Sequence, residues 1–82
     1  MIIDVSKFGE ILISRPAGKE TFLMSKAYIF NSYKPGEAIS LDFLNVKVLT
    51  PSWADEFISG IKKIIIKILL LLIHKMNLLQ LL

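Results

Sequence analysis

The sequence predicts a small α/β domain in which helices pack against a mixed sheet. Short apolar stretches with the character of strands alternate with two longer stretches whose apolar residues recur at helical spacing. The start of the second helix is sharply marked, because Thr50 is a good N-cap and Pro51 suits the first helical position. The 82 residues are enough for one domain at most. The predicted order of elements is β-β-α-β-α-(β/α), where the last element is a strand, a helix or both.

Two short strands are predicted to open the chain. Residues 2–5 form an apolar run broken by Asp4, and residues 11–13 form a second run after a turn signal at residues 7–10. Two such runs joined by a short turn are typical of a hairpin. Ser14 then precedes Pro16 and is predicted to cap a helix over about residues 16–31.

The first helix is predicted to bury an apolar stripe made of Leu23, Ala27 and Phe30. Met24 and Tyr28 lie beside this stripe. The charged residues of the same helix, which are predicted to face solvent, are Lys19, Glu20 and Lys26.

The second half of the predicted domain begins after a break at residues 31–36. Residues 38–43 alternate and then become apolar, as a covered strand does, and residues 46–49 form another apolar stretch. The helix that begins at Thr50 is predicted to end near Lys63. Its apolar stripe comprises Trp53, Phe57, Ile58 and Ile61.

The composition changes after Lys63, which divides the chain into a domain over residues 1–63 and a hydrophobic tail over residues 64–82. Three interpretations of the tail compete. It is a last strand, Ile64 to Ile68, followed by a helix; or a membrane-associating helix; or an aberrant end produced by a reading-frame change in AT-rich DNA. Membrane insertion is not favoured, because Lys67 and Lys75 interrupt the apolar run. The folded interpretation is preferred.

Composition excludes several functions. The chain has no cysteine, so it has no thiolate metal site and fits a reducing cytoplasm. The single His74 cannot form a metal site alone, and no cofactor is predicted. The net charge of +3 comes without the basic, aromatic-rich patch of a nucleic-acid-binding protein. No secretory signal opens the chain, and cytoplasmic localisation is predicted.

Ser52 is the sharpest candidate for function, because it lies at the mouth of a helix, where an anion is easily accommodated. We expect it to be exposed. The alternative is that Thr50 or Ser52 simply satisfies backbone donors of the first helical turn. Arg15 could pair with a phosphate or a partner carboxylate, but a solvated arginine or a local pair with Asp42 or Glu10 is favoured.

Three further groups have structural alternatives. Trp53 is either a core anchor or an interface residue, and the core is favoured. Asp42 is predicted to hold the turn after its strand, and Asp55 and Glu56 to be surface acids favoured by the helix dipole. The sequence contains no glycine-rich phosphate loop, no Ser-His-Asp set and no metal-ligand spacing, so an enzyme is not expected.

Two motifs of the chain resemble the STAS-like domains of bacteria, relatives of the sulfate transporter and anti-sigma factor antagonist domain. The first is Leu-Asp-Phe at residues 41–43 with Val46, followed by Thr-Pro-Ser-Trp-Ala-Asp-Glu at residues 50–56. The second comprises Phe8-Gly9-Glu10, residues 12–15 and Ala17, which are similar to the family's opening strand and first helix. The resemblance spans roughly residues 2–61.

The resemblance implies a non-enzymatic regulatory domain that binds a protein partner, such as a histidine-kinase-like ATPase or an anti-sigma factor. It places Ser52 at the position where a partner kinase phosphorylates the regulatory members of the family. Those members carry Asp-Ser-Ser-Gly, whereas this chain has Thr-Pro-Ser-Trp at residues 50–53. Two alternatives stay open: a small protein that associates with membranes through its tail, and a truncated remnant without function.

Overall fold

The computed structural model describes residues 1–76, so the end of the predicted tail, residues 77–82, lies outside the described residues. Within residues 1–76 the α/β class is confirmed: two long helices pack on two small sheets. A short 3-10 helix, Val5–Phe8, lies between the first two strands. The elements are β1 (Ile2–Asp4), β2 (Ile11–Leu12), α1 (Arg15–Ser32), β3 (Ser40–Asp42), β4 (Val48–Leu49) and α2 (Pro51–Lys75).

Each strand pairs with a strand that is distant in the sequence, and both pairs are parallel. β1 pairs with β3, with Ile2 opposite Ser40, and β2 pairs with β4, with Ile11 opposite Val48. The predicted opening hairpin is therefore wrong, and the described strands form two parallel pairs where a mixed sheet was predicted. The turn signal at residues 7–10 belongs to the end of the 3-10 helix, which Asp4 caps by accepting a hydrogen bond from the Ser6 backbone N–H at 3.1 Å.

The two helices run side by side in the same direction, and a glycine on each lets them approach closely. A Cβ atom added to Gly18 would lie 2.5 Å from the carbonyl oxygen of Trp53. One added to Gly60 would lie 2.5 Å from the ring of Phe22. Backbone contact of this kind needs residues without side chains at the crossing points.

The buried face of α1 differs from the predicted stripe. Leu23 is 55% exposed and Phe30 is 38% exposed, so the predicted stripe of Leu23, Ala27 and Phe30 does not form the core. The buried residues of α1 are Gly18, Thr21 and Ile29. Gly18 and Thr21 are small, and the Phe22 ring packs on Gly60 of α2, whereas Leu23 and Phe30 are exposed. The charged residues predicted to face solvent do so.

The core is built mainly on α2. Its predicted stripe is confirmed at Trp53, Phe57 and Ile61, which are buried, whereas Ile58 is half-buried. The Trp53 and Phe57 rings stack with centroids 5.0 Å apart, and the Phe8 and Phe57 rings pack with centroids 5.4 Å apart. The strands, the 3-10 helix and α1 complete this core with Ile3, Val5, Leu12 and Ile29.

Helix α2 does not end near Lys63 but continues without a break to Lys75. The predicted last strand, Ile64 to Ile68, is therefore helical. Ile64 is buried three residues after Ile61, so the helical stripe continues across the predicted boundary. No helix within residues 1–76 has the length and apolar character needed to cross a membrane. The division of the chain at residue 63 and the reading-frame interpretation stay predictions.

Candidate docking site at the paired helix starts

The first turns of α1 and α2 lie next to each other, and each is capped by a hydroxyl group. The Ser14 hydroxyl accepts a hydrogen bond from the Ala17 N–H at 3.2 Å, and the Thr50 hydroxyl accepts one from the Trp53 N–H at 3.4 Å. Both predicted caps are confirmed. Because Gly18 packs on the backbone of Trp53, the two helix starts form a single surface.

Arg15 links the two helices across this surface. Its Nη1 atom donates hydrogen bonds to Asp55 Oδ2 at 2.8 Å and to Glu56 Oε1 at 3.0 Å. The predicted local pairing of Arg15 with Asp42 or Glu10 is therefore wrong. Glu10 instead pairs with Lys47 at 3.1 Å.

Asp42 has the structural role that was predicted for it. Its carboxylate accepts a hydrogen bond from the Leu44 N–H at 2.9 Å and so holds the turn after β3. Asp55 and Glu56 lie at the surface, as predicted, but in the second turn of α2, and both bind Arg15, which was not predicted.

The ion pair changes the acidity of its members. The hydrogen bond from Arg15 and its positive charge hold the pKa of Asp55 below its ordinary value. The hydrogen bonds to Asp55 and Glu56 in turn raise the pKa of Arg15. All three side chains are partly exposed, so solvent weakens the pair and its main effect is on geometry.

We expect Arg15→Gln to raise the pKa of Asp55 toward its ordinary value, as measured by carboxyl-carbon NMR titration. A carboxyl group with a lowered pKa stabilises the fold above its ordinary pKa, and this contribution is lost as the pH falls through the lowered value. The wild type should therefore lose this contribution in the acid range, and the variant should not show that loss. Lys19→Gln, which removes an exposed charge from the same helix, is the control. An Asp55 pKa that is the same in wild type and Arg15→Gln would contradict the assignment.

Ser52 is the second residue of α2, and it is half-buried, whereas full exposure was predicted. Residues three and four positions apart share one face of a helix, so Ser52 lies on the same face as Asp55 and Glu56. The two acids lie about one helical turn, or roughly 5.4 Å, along the axis of α2 from Ser52. Arg15 binds both acids and therefore lies against this face.

The four residues predicted as docking or phosphorylation candidates lie together at the paired helix starts: Thr50, Ser52, Trp53 and Arg15. Their roles differ. Trp53 is buried and supports the surface from below, which agrees with its favoured role as a core anchor. The close approach at Gly18 and the pairing of Asp55 and Glu56 with Arg15 were not predicted. A glycine inside a helical pattern was the available signal for close backbone approach.

Other parts of the structure offer little for chemistry. Within residues 1–76 no three His, Asp or Glu side chains come close enough together to hold a metal ion. A cleft between β1 and α1 contains the carboxylate of Asp4, which accepts hydrogen bonds from the Ser6 hydroxyl at 2.6 Å and the Ser6 N–H.

The fold places the chain among small α/β domains in which helices cover short parallel strands. The chain belongs to the family of STAS-like domains: the family model described as a STAS-like domain of unknown function (DUF4325) matches residues 25–75. The match covers the C-terminal part of α1, both strands β3 and β4, and the whole of α2. It confirms the resemblance and extends beyond residue 61, where the resemblance was expected to end. Comparison with curated proteins and with solved structures gave no match.

Proposed function

We propose that this protein is a non-enzymatic regulatory domain that binds a protein partner through the paired starts of α1 and α2. The partner class suggested by the resemblance is a histidine-kinase-like ATPase or an anti-sigma factor of a bacterial cytoplasm. The observation that carries the proposal is the cluster of Arg15, Asp55 and Glu56 on the helix face that also bears Ser52. This surface combines charged groups with a rigid support.

The support comes from the buried layer under the site. Trp53 and Phe57 fix the first two turns of α2, and Gly18 fixes the first turns of the two helices against each other. A surface held in this way loses little conformational entropy when a partner binds.

Phosphorylation of Ser52 would control the surface in this proposal. A phosphate adds about −1.5 to −2 charges and three acceptor oxygens. It would compete with Asp55 and Glu56 for the guanidinium group of Arg15, and charge-assisted hydrogen bonds to phosphate are strong. The modification would thus rearrange three charged side chains on one surface.

The test begins by isolating the partner from lysate with tagged full-length protein and by phosphopeptide mass spectrometry of Ser52. We expect Ser52→Asp to change the affinity for the isolated partner by more than about tenfold, which corresponds to about 1.4 kcal/mol. Ser52→Ala should bind like the wild type and should carry no phosphate at this position. The melting temperatures of both variants should stay close to that of the wild type, because the hydroxyl cap is Thr50.

Two further variants make the test specific. Asn45→Asp adds one negative charge in the turn between β3 and β4 and should leave binding unchanged. In an Arg15→Gln background, Ser52→Asp should have a smaller effect than in the wild type, since the two side chains are coupled. Equal binding by wild type and both Ser52 variants, with no phosphate on Ser52, would falsify the proposal and leave Ser52 as a helix-start residue.

A further inference from the structure

The C-terminal half of α2 exposes an unusual amount of apolar surface. Ile64 is the last fully buried residue among residues 1–76, and α2 continues to Lys75. Leu69, Leu70, Leu71 and Leu72 are all exposed, as is Ile66. Successive residues of a helix point about 100° apart, so these four leucines cover almost every direction around the axis.

Helix α1 adds to this surface. Leu23 and Phe30, two exposed residues of its predicted stripe, line a shallow groove that also contains Lys67 of α2. Leu70 and Leu71 lie three and four residues after Lys67, so they share its face of α2. An exposed apolar surface of this kind on a small protein marks a site of interaction.

The charged residues in the C-terminal half of α2 are all lysines. The exposed lysines of this part of α2 are Lys62, Lys63, Lys67 and Lys75, and Lys26 lies in the groove on α1. The sequence contains no Asp or Glu after residue 56. Lysine side chains can extend along an apolar surface while their ammonium groups reach a polar layer above it.

We propose that this surface, defined by the exposed residues of 66–76 with Leu23 and Phe30, binds an anionic lipid bilayer as a helix lying at the interface. A helix at a lipid interface combines exposed apolar side chains with lysines that reach the headgroups, and this part of α2 carries both. Anionic headgroups would neutralise the lysines. A second copy of the chain would bring another set of lysines and no acid from the same segment, so like charges oppose self-association.

The orientation follows from the length and charge of α2. The helix does not qualify as a membrane span, since lysines interrupt it, and it would therefore lie along the surface. The paired helix starts are at the opposite end of α2 from residue 75, so membrane binding would leave the candidate docking site free. The proposal is independent of the docking function.

The experiment is co-sedimentation of the full chain with vesicles of phosphatidylcholine alone or of equimolar phosphatidylcholine and phosphatidylglycerol. We expect binding to the anionic vesicles only, and weaker binding at high salt. Lys63→Gln with Lys67→Gln should weaken binding by roughly fivefold for each lysine removed. Ile66→Gln with Leu70→Gln, two positions that are 56% and 57% exposed, should weaken it by about tenfold or more without changing the circular dichroism spectrum.

Matched controls change charge and apolar area elsewhere. Lys7→Gln with Lys47→Gln removes two exposed charges, and Ile2→Gln with Leu44→Gln removes two exposed apolar side chains, so both pairs should bind like the wild type. The proposal fails if the wild type does not bind anionic vesicles, or if the Lys63 and Lys67 variant binds as well as the wild type. It also fails if light scattering shows a dimer that the Ile66 and Leu70 variant dissociates while no vesicle binding occurs, because the occupant is then a second copy.

Discussion

Phe57→Ala is expected to lower the free energy of unfolding by about 3–5 kcal/mol and so to unfold most of the molecules. The Phe57 side chain is fully buried and packs against the rings of Trp53 and Phe8. Its removal would leave a cavity where α2, the 3-10 helix and the strands meet. A domain of this size has little stability to lose, because it buries a modest share of its surface.

The measurement is urea unfolding followed by circular dichroism and tryptophan fluorescence. Phe30→Ala is the matched control, because it removes the same side chain from an exposed position and should cost about 1 kcal/mol or less. Equal unfolding midpoints for Phe57→Ala and the wild type would show that the stacked rings are not the centre of the core.

Gly18→Ala is expected to destabilise the fold by about 1–3 kcal/mol, although the same change in an open helix stabilises it by about 1 kcal/mol. The added methyl group would lie 2.5 Å from the Trp53 carbonyl oxygen. Backbone atoms cannot rotate away as a side chain can, so the helices must move apart. The movement would also separate Arg15 from Asp55, and the pKa of Asp55 should rise in this variant.

Lys19→Ala, one residue further along α1, is the control and should change stability by about 0.5 kcal/mol or less. Gly60→Ala should cost less than Gly18→Ala, since the nearest atoms belong to the Phe22 ring, which can adjust. A Gly18→Ala variant that is more stable than the wild type would mean that the helices do not touch at this point.

Local signals accounted for the helix starts. Ser14 and Thr50, each followed within two residues by proline, predicted both caps, because capping depends only on residues that are close in the sequence. The apolar period of α2 predicted Trp53, Phe57 and Ile61 as core residues for the same reason. The family resemblance, which rests on contiguous motifs, was likewise readable from the chain.

Tertiary contacts accounted for the errors. The strands are only two or three residues long, and their sequences do not indicate which strand each one pairs with. The buried face of α1 includes Gly18 because Gly18 packs on the backbone of α2 at Trp53. The amphipathic pattern of α1 alone favours Leu23 and Phe30 as buried residues. The end of α2 was misplaced because β-branched isoleucines at residues 64–66 favour a strand locally, whereas the buried position of Ile64 continues the helical stripe.

The candidate site was predicted in its residues but not in its bonds. Arg15 and Asp55 are forty positions apart in the sequence, and only the parallel packing of α1 and α2 brings them together. Spacing rules for ion pairs apply within one helix and could not have indicated this pair.

The pairing of β1 with β3 and of β2 with β4 has a consequence for how the chain acquires its structure. Each pair joins a segment before α1 to a segment after it, so neither sheet can form until the segment that follows α1 has been synthesised. Helix α1 needs only local hydrogen bonds and can form early, whereas sheet closure must first overcome the entropy of a long loop. The apolar side chains of Ile3, Val5 and Leu12 therefore stay exposed to solvent until α2 has been synthesised. The nascent chain is most prone to aggregation during this interval.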